Sequence, residues 1–562
     1  MVCSVSKDEC LGVDSSKPNP RDIPTTLRHL SIMVDDPLVL SKVPRLKNLH
    51  TLVLWIHGHD RRWAVMVNKV LKGFKNLRVL KLESSATCKH RSLNAIGDLK
   101  HLRYLHLDKI VDTTPLTKSV YKLYHLQTMI VLCLDPSTKR IGEGMKSLIN
   151  LRHLILPSVA IPTIAKIGKL TSLQELDKFH VREGNGCKIG ELKHLRELRG
   201  ELHIKNLENV RSCEDAREAE LHNKEHLRTL VLQWDTNSSS TSEVAANIID
   251  GLRPHFCLAD LKIIGYSGAC PPCWLETRYL AMLESITLSN CEELELLPPL
   301  EELPFLKFLS LENMRALRQV GHPFPRRNMV TSFGRLEVLK FRNIQMLARW
   351  SGVEDGQWFP CLKILKIEHC SRLMALPPLP HSLERLEIYD VGLTTLPRLW
   401  QCQNNDCESS SPSNLRLLKI QSCRNLTSLD GGLLQHTDHF MAVEELFIQQ
   451  CKALVHLPVE GFQKLISLRS LQIRKCPRLQ RRNAPHDDFF LPLSVRTISM
   501  MDCGEMDASL PGAMQHLASL SMLVGTHSFT AFPSAEVFRR LKVLHNLSIV
   551  RCTELTSFGG LH

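Results

Sequence analysis

The string LKILKIEHC, Leu362 to Cys370, returns downstream as LRLLKIQSC from Leu415, LRSLQIRKC from Leu468 and LHNLSIVRC from Leu544. Matching L-x-x-L-x-L along the chain finds about twenty copies at a mean spacing of about 26 residues. They run from LRHLSI at Leu27 through LRTLVL at Leu227 and LKFLSL at Leu306 to VRTISM at Val495. A chain of 562 residues would ordinarily divide into several domains. A repeat removes that constraint, because each unit covers only its neighbours and the array grows in one dimension.

The alternation inside each copy has period two, and successive side chains of a strand face opposite sides. Leu365 and Ile367 are therefore expected to point inward and Lys366 and Glu368 outward, with Leu362 entering the core from the preceding turn. One repeat offers only a few buried aliphatics, each contributing roughly 1.5–3 kcal/mol. Ordering its backbone costs about 1–2 kcal/mol per residue. A single repeat cannot fold; stacked repeats can, as a long parallel sheet whose return connections form the variable half of each unit. The predicted fold is an α/β leucine-rich-repeat solenoid, a horseshoe. Its parallel β-sheet lines the concave face, and mostly irregular backbone or short helical turns form the convex face.

The consensus places Asn or Cys in the ninth slot, where the chain turns inward. That slot holds Cys291, Cys370, Cys423, Cys451, Cys476, Cys503 and Cys552. A free thiol acts there as a small hydrophobe with a weak S–H donor, so these cysteines are expected to form a structural ladder. Between strands, in IGDLKHL from Ile96, IGKLTSL from Ile167 and IGELKHL from Ile189, each Gly is expected to end a short helical turn or fill a tight bend. In the second half Leu-Pro pairs at Leu376, Leu396 and Leu457 disfavour helix.

The expected organisation is a leader over 1–26, N-terminal repeats over 27–234, an irregular loop-helix insertion over 235–275, and C-terminal repeats over 276–562. A polar loop, QCQNNDCESSSPSN, occupies 401–414. SCEDAREAELHNKEHL, Ser212 to Leu227, has helical character. The first residues contain no apolar run suited to secretion, and no segment reaches the roughly 20 apolar residues of a membrane span. The expected location is the cytoplasm, with the nucleus also open, and the 19 cysteines are then reduced thiols. Basic residues outnumber acidic ones by 71 to 58 and are spread along the chain, with small clumps at Arg61-Arg62, Arg326-Arg327 and Arg481-Arg482. No aromatic-rich RNA motif or metal-finger spacing accompanies them, which sets nucleic acid behind an acidic protein surface as partner.

Four stretches carry a family resemblance. They are DIPTTLRHLSI (Asp22 to Ile32), KSVYKLYHLQTM (Lys118 to Met129), LRELRGELHIKNLENV with AREAELHNKEHLRTLVLQW (Leu195 to Trp234), and IIDGLRPHFCLADLKIIGYSGACPPCWL (Ile248 to Leu275). From about Asp22 onward the chain resembles the leucine-rich-repeat region of plant intracellular immune receptors, the nucleotide-binding leucine-rich-repeat resistance proteins of the coiled-coil class. The resemblance implies defence-related recognition of a pathogen effector or a guarded host protein, together with restraint of a nucleotide switch. In that family the nucleotide site lies in an upstream domain with a G-x-x-x-x-G-K-[ST] loop. No such loop occurs here, so nucleotide binding does not carry over. The chain is then a receptor fragment or a recognition surface acting in trans on a nucleotide-binding domain.

No catalytic pattern stands out. GYSGA at Gly265 lacks the last Gly of a nucleophile elbow, and H-E-x-x-H is absent. Cys270-Pro-Pro-Cys273 has redox spacing but no second pair at zinc-site distance. No enzyme, cofactor or metal site is expected. The candidate site is the solvent face of the strands: Lys340, Arg342, Lys366, Arg385, Tyr389, Lys419, Glu445, Phe447, Gln449, Gln472 and Arg474. The plain alternative for each is an ordinary solvated position; Arg and aromatic side chains there favour protein docking. Two other readings stand beside it. One is a substrate receptor of a ubiquitin ligase, for which the first 26 residues are too short to hold the adaptor-binding helices. The other is an inactive receptor fragment.

Overall fold

The architecture comes from a computed structural model. It describes residues 9–13, 23–43, 46–57, 62–89, 93–111, 120–132, 143–157, 164–184, 186–235, 241–276, 278–320, 333–350, 359–398, 413–429, 441–457, 462, 464–480, 491–509, 517, 519–526 and 539–550. Cys552, the polar segment 401–412 and the basic residues Arg61, Arg326, Arg327, Arg481 and Arg482 lie outside the described residues.

The L-x-x-L-x-L strings become strands, and all pairings between them are parallel. The chain forms two compact units, Met1–Ser240 with Asn247–Leu258, and Thr241–Ala246 with Ala259–His562. In the first unit β1 (Cys10–Val13), β2 (His29–Val34), β3 (Thr51–Ile56), β4 (Val79–Lys89), β5 (Tyr104–Val111), β6 (Thr128–Val131) and β7 (His153–Ile155) make one seven-stranded sheet in chain order. Three more strands follow, β8 (Lys178–His180), β9 (Gly200–Lys205) and β10 (Leu227–Gln233).

The second unit runs from β11 (Asp260–Ile264), β12 (Ser285–Ser289) and β13 (Phe308–Glu312) into β15 (Val338–Arg342), β17 (Ile364–Cys370) and β18 (Arg385–Val391). It continues through β19 (Leu417–Gln421), β20 (Glu445–Gln449), β21 (Ser470–Arg474), β22 (Thr497–Met501), β23 (Met522–Thr526) and β24 (Asn546–Val550). A short pair, β14 (Gln319–Val320) with β16 (Arg349–Trp350), lies apart from that sheet.

The core is the inward row of each strand, stacked in register. Leu339, Leu365, Leu386, Leu418, Leu446 and Leu471 occupy one row and Phe341, Ile367, Ile388, Ile420, Ile448 and Ile473 the next. Each of these is buried, as is Leu362 in the turn before β17. The pairing of like aliphatics across strands about 4.8 Å apart removes their apolar surface from water along the whole sheet.

Return connections carry few helices, as the Gly and Pro spacing predicts. The first unit has a nine-residue helix, Trp63–Leu71, and 3-10 turns at Asn94–Asp98, Ile167–Lys169 and Ile189–His194. Gly97, Gly168 and Gly190 sit inside those turns rather than at their ends. The reason at Gly168 is proximity: a Cβ there would stand 2.5 Å from the carbonyl oxygen of Glu191 in the next coil. The helical stretch after Ser212 is shorter than its composition suggests. It covers Cys213–Arg217, with the Ser212 hydroxyl accepting from the Asp215 amide at 3.2 Å, and a separate turn follows at Leu221–Asn223.

Two stretches set apart in the sequence reading carry regular strands. Cys10–Val13, inside the expected leader, pairs with β2, and Val13 is buried. Asp260–Ile264, inside the expected insertion, is a full repeat strand. LADLKII (Leu258 to Ile264) is itself an L-x-x-L-x-I string, with Leu258, Leu261 and Ile263 all buried.

Candidate functional site

Nine strands of the second unit, β12, β13, β15 and β17 to β22, end the same way. The residue before the ninth slot adopts left-handed backbone: Asn290, Asn313, Asn343, His369, Asp390, Ser422, Gln450, Lys475 and Asp502 have φ between 51° and 60°. This conformation turns the chain inward and aims the amide at the next strand. Asn313 donates to the Arg342 carbonyl at 2.9 Å, Asn343 to Glu368 at 2.8 Å and Gln450 to Arg474 at 2.8 Å. Side chains add a second ladder, with the Asn313 amide donating to Asn290 at 2.7 Å and that of Asn343 to Asn313 at 2.8 Å.

The ninth-slot thiols follow. Cys291, Cys370, Cys423, Cys451, Cys476 and Cys503 are fully buried, and each Sγ donates to a carbonyl two residues back, as Cys451 does to Gln449 at 3.4 Å. Burial pushes the Cys291 and Cys370 thiols up to about 12. They are structural residues with no thiolate character near neutrality.

The sequence-predicted residues fall into three rows on the solvent face of the same strands. Lys340, Lys366, Lys419, Phe447 and Gln472 share one row, with Glu387 between Lys366 and Lys419. Arg342, Tyr389, Gln449 and Arg474 share the row toward the strand ends, and Arg385 and Glu445 the row toward the strand starts. Part of this face neutralises itself. Lys366 meets Glu368 at 2.9 Å and Glu387 at 3.7 Å, and Arg342 meets Glu368 at 3.6 Å. The hydrogen bond that Lys366 donates to Glu368, then the nearby carboxylates, hold its ammonium above its ordinary range. Lys340 lies 5.2 Å from the Phe308 ring centroid, and Tyr389 packs edge-on against His369 at 4.7 Å. The Arg474 Nε donates to the Ser499 hydroxyl at 2.8 Å.

The solvent face of the first unit has a different character. Its central row reads Ser31, Val53, Lys81, His106, Ile130 and Ile155, and the adjoining row Met33, Trp55, Glu83 and Asp108. The Trp55 indole donates to Glu83 at 3.0 Å, and Lys81 meets the same carboxylate at 2.8 Å. Those hydrogen bonds, Lys81 first, hold the Glu83 carboxyl below its ordinary range. The outward positions of LVLWI (Leu52 to Ile56), Val53 and Trp55, carry this apolar character in the sequence itself.

Among the described residues no group of His, Cys, Asp and Glu is placed to hold a metal ion. No helix among them is long and apolar enough to cross a membrane. Cys270 and Cys273 are exposed and form no disulfide.

Parallel strands in register, inward aliphatic rows and a left-handed turn before each ninth slot define a leucine-rich-repeat solenoid. Residues 189–314 match the family of R13L1/DRL21 leucine-rich repeats. The chain is 32% identical over 479 residues to the disease resistance RPP13-like protein 1 of Arabidopsis thaliana, covering 81% of this chain and 44% of that one. It is 32% identical over 276 residues to disease resistance protein RGA2 of Solanum bulbocastanum, covering 47% of this chain and 27% of the relative. The chain thus spans less than half the length of either relative. It carries the leucine-rich-repeat region found in plant disease resistance proteins. Among solved structures, the leucine-rich-repeat ectodomain of the Arabidopsis receptor kinase HAESA, in complex with an extended IDA peptide hormone, matches at a TM-score of 0.45. The identity is 15%, over 96% of this chain and 84% of that one.

Proposed function

We propose that the chain is a non-enzymatic protein-recognition module in plant defence, docking a pathogen effector or a guarded host protein on the solvent face of the second unit. The observation that carries this reading is the row Lys340, Lys366, Glu387, Lys419, Phe447 and Gln472 on six adjacent strands. Six strands at about 4.8 Å present a rigid platform roughly 24 Å wide. A backbone already ordered in the sheet has little entropy left to lose when a partner binds, which confines the ordering cost to the side chains. Phe447, fifth in the row, supplies an aromatic anchor and Arg474 on the next strand a planar donor, the residue types that dominate interface energetics. The self-neutralised cluster around Glu368 sets specificity rather than affinity, because a partner must match its pattern of charge. Kinship with disease resistance proteins supports the defence setting, and cysteines such as Cys291, Cys370 and Cys451, which form no disulfide, suit the cytoplasm. In this reading the same repeats also restrain a nucleotide-binding domain, in a longer chain or in trans.

The test is retention of partners from infected plant extract on the immobilised chain and on variants. A partner kept by the wild type and by Lys100→Gln, but lost with Phe447→Ala and with Arg474→Glu at unchanged Tm, supports the assignment. Equal retention by all four proteins moves docking off this face.

A further inference from the structure

The net charge of the chain is +13, yet it is not spread evenly. Residues 37–82 contain ten Lys and Arg (positions 42, 45, 47, 61, 62, 69, 72, 75, 78 and 81) against one acid, Asp60, a balance of +9. Most of the excess therefore belongs to under a tenth of the sequence.

The fold gathers part of it around one depression of about 720 Å³ in the first unit. Lys69 and Lys72 reach it from the end of the helix Trp63–Leu71, and Lys47 and Lys75 from the turns before β3 and β4. Leu40 and Phe74, both buried, form an apolar floor. The two turns are K-N-L strings at matching positions of successive repeats, and the Asn76 amide donates to the Lys47 carbonyl at 2.9 Å, tying one wall to the other. Among the described residues no carboxylate lines the depression.

The ordinary role for lysines at such a place is to complement the negative end of a helix. Here backbone donors already occupy the last carbonyls: Lys72 to Asn68 at 3.3 Å, Gly73 to Val70 at 2.9 Å and Phe74 to Leu71 at 3.1 Å. Four exposed ammonium groups around an apolar-floored hollow, with no counter-charge among the described residues that line it, remain to be accounted for.

We propose that this depression binds a compact polyanion carrying two or more phosphate groups. An ammonium is a compact, three-donor charge suited to phosphate oxygens, and four of them exceed what one carboxylate can neutralise. The volume falls within the roughly 300–1,000 Å³ of small-molecule sites. An extended acidic surface would touch only the rim. The phosphates could belong to a free metabolite or to a phosphorylated lipid headgroup, since both offer the same chemistry.

The experiment titrates tripolyphosphate into the full chain by calorimetry, in parallel with flotation on phosphatidylcholine vesicles with and without bisphosphorylated phosphatidylinositol. All four lysines are exposed, so the charge-removing variants Lys69→Gln/Lys72→Gln and Lys47→Gln/Lys75→Gln keep the core intact. Saturable binding is expected, weakened at least about tenfold in each double variant, weakened by added salt, and unchanged in Lys100→Gln. Flotation without tripolyphosphate binding assigns the headgroup on its lipid as the source; tripolyphosphate binding without flotation assigns the free form. Absence of both, or an affinity that ignores both double variants, overturns the proposal.

Discussion

The ammonium of Lys224 stands 2.7 Å from the carbonyl oxygen of Leu192, inside the first unit and wholly out of contact with water. It also reaches the Leu195 carbonyl at 3.1 Å. Leu192 lies within the turn Ile189–His194 and Leu195 directly after it, so one side chain closes a neighbouring coil. Burial lowers its pKa to about 8 from 10.5, with Glu220 opposing the shift. Between those two values the unfolded chain holds more protons than the folded one, so stability rises with pH through that window. The rise has an upper bound of about 3 kcal/mol by linkage. Urea unfolding at both ends of the window should show it in the wild type and not in Lys224→Met. The variant should also lose about 1–3 kcal/mol at the alkaline end, because two carbonyls lose their donor.

The aliphatic rows and the thiol ladder should differ sharply in what they contribute. Leu365→Ala removes a fully buried side chain from the middle of the stack and should cost roughly 2–5 kcal/mol. Cys370→Ala removes one sulfur and a weak donor, and should cost about 1 kcal/mol. Chemical denaturation of the two variants side by side measures the gap.

Thiol reactivity should follow the same geometry. Cys270, Cys273 and Cys361 are exposed, and Cys291 is buried with its thiol pushed up to about 12. Brief alkylation at neutral pH followed by peptide mapping should label the exposed group and spare Cys291, Cys370, Cys423, Cys451, Cys476 and Cys503 until denaturant is added.

Gly168 tests the packing of one coil on the next. A methyl group there meets the Glu191 carbonyl at 2.5 Å, a position backbone cannot yield cheaply. Gly168→Ala should lower stability by about 1–3 kcal/mol, while Gly12→Ala, which meets nothing within 4 Å, should change it little. A thermal melt of each variant decides the point.

How much of this was legible beforehand depends on the range of the interaction. Leu365 inward and Lys366 outward follow from period two, a local rule that stacking reinforces at every strand. Cys370 and its equivalents could be read because burial admits few residue types. The left-handed turn before them could not: its occupants are Asn, His, Asp, Ser, Gln and Lys, since the backbone amide makes the bond and the side chain is free to vary. Lys224 escaped notice because its partners lie 32 and 29 residues away and are carbonyls, which carry no sequence signal. The pairing of Lys366 with both Glu368 and Glu387 depends on cross-strand register, which no single repeat contains. The concentration of charge over 37–82 was countable, but scanning for adjacent basic pairs overlooks lysines that a coil brings together.

The in-register rows have a consequence for how such a chain can change over generations. Since each strand bonds only to the two beside it, a whole repeat can be duplicated or deleted at the level of the gene without touching any other repeat's interior. Every such event would slide the downstream surface by one strand spacing, about 4.8 Å, relative to what precedes it. A lineage could thus rearrange which side chains meet a given partner by counting units, a far coarser and faster route than replacing residues one at a time.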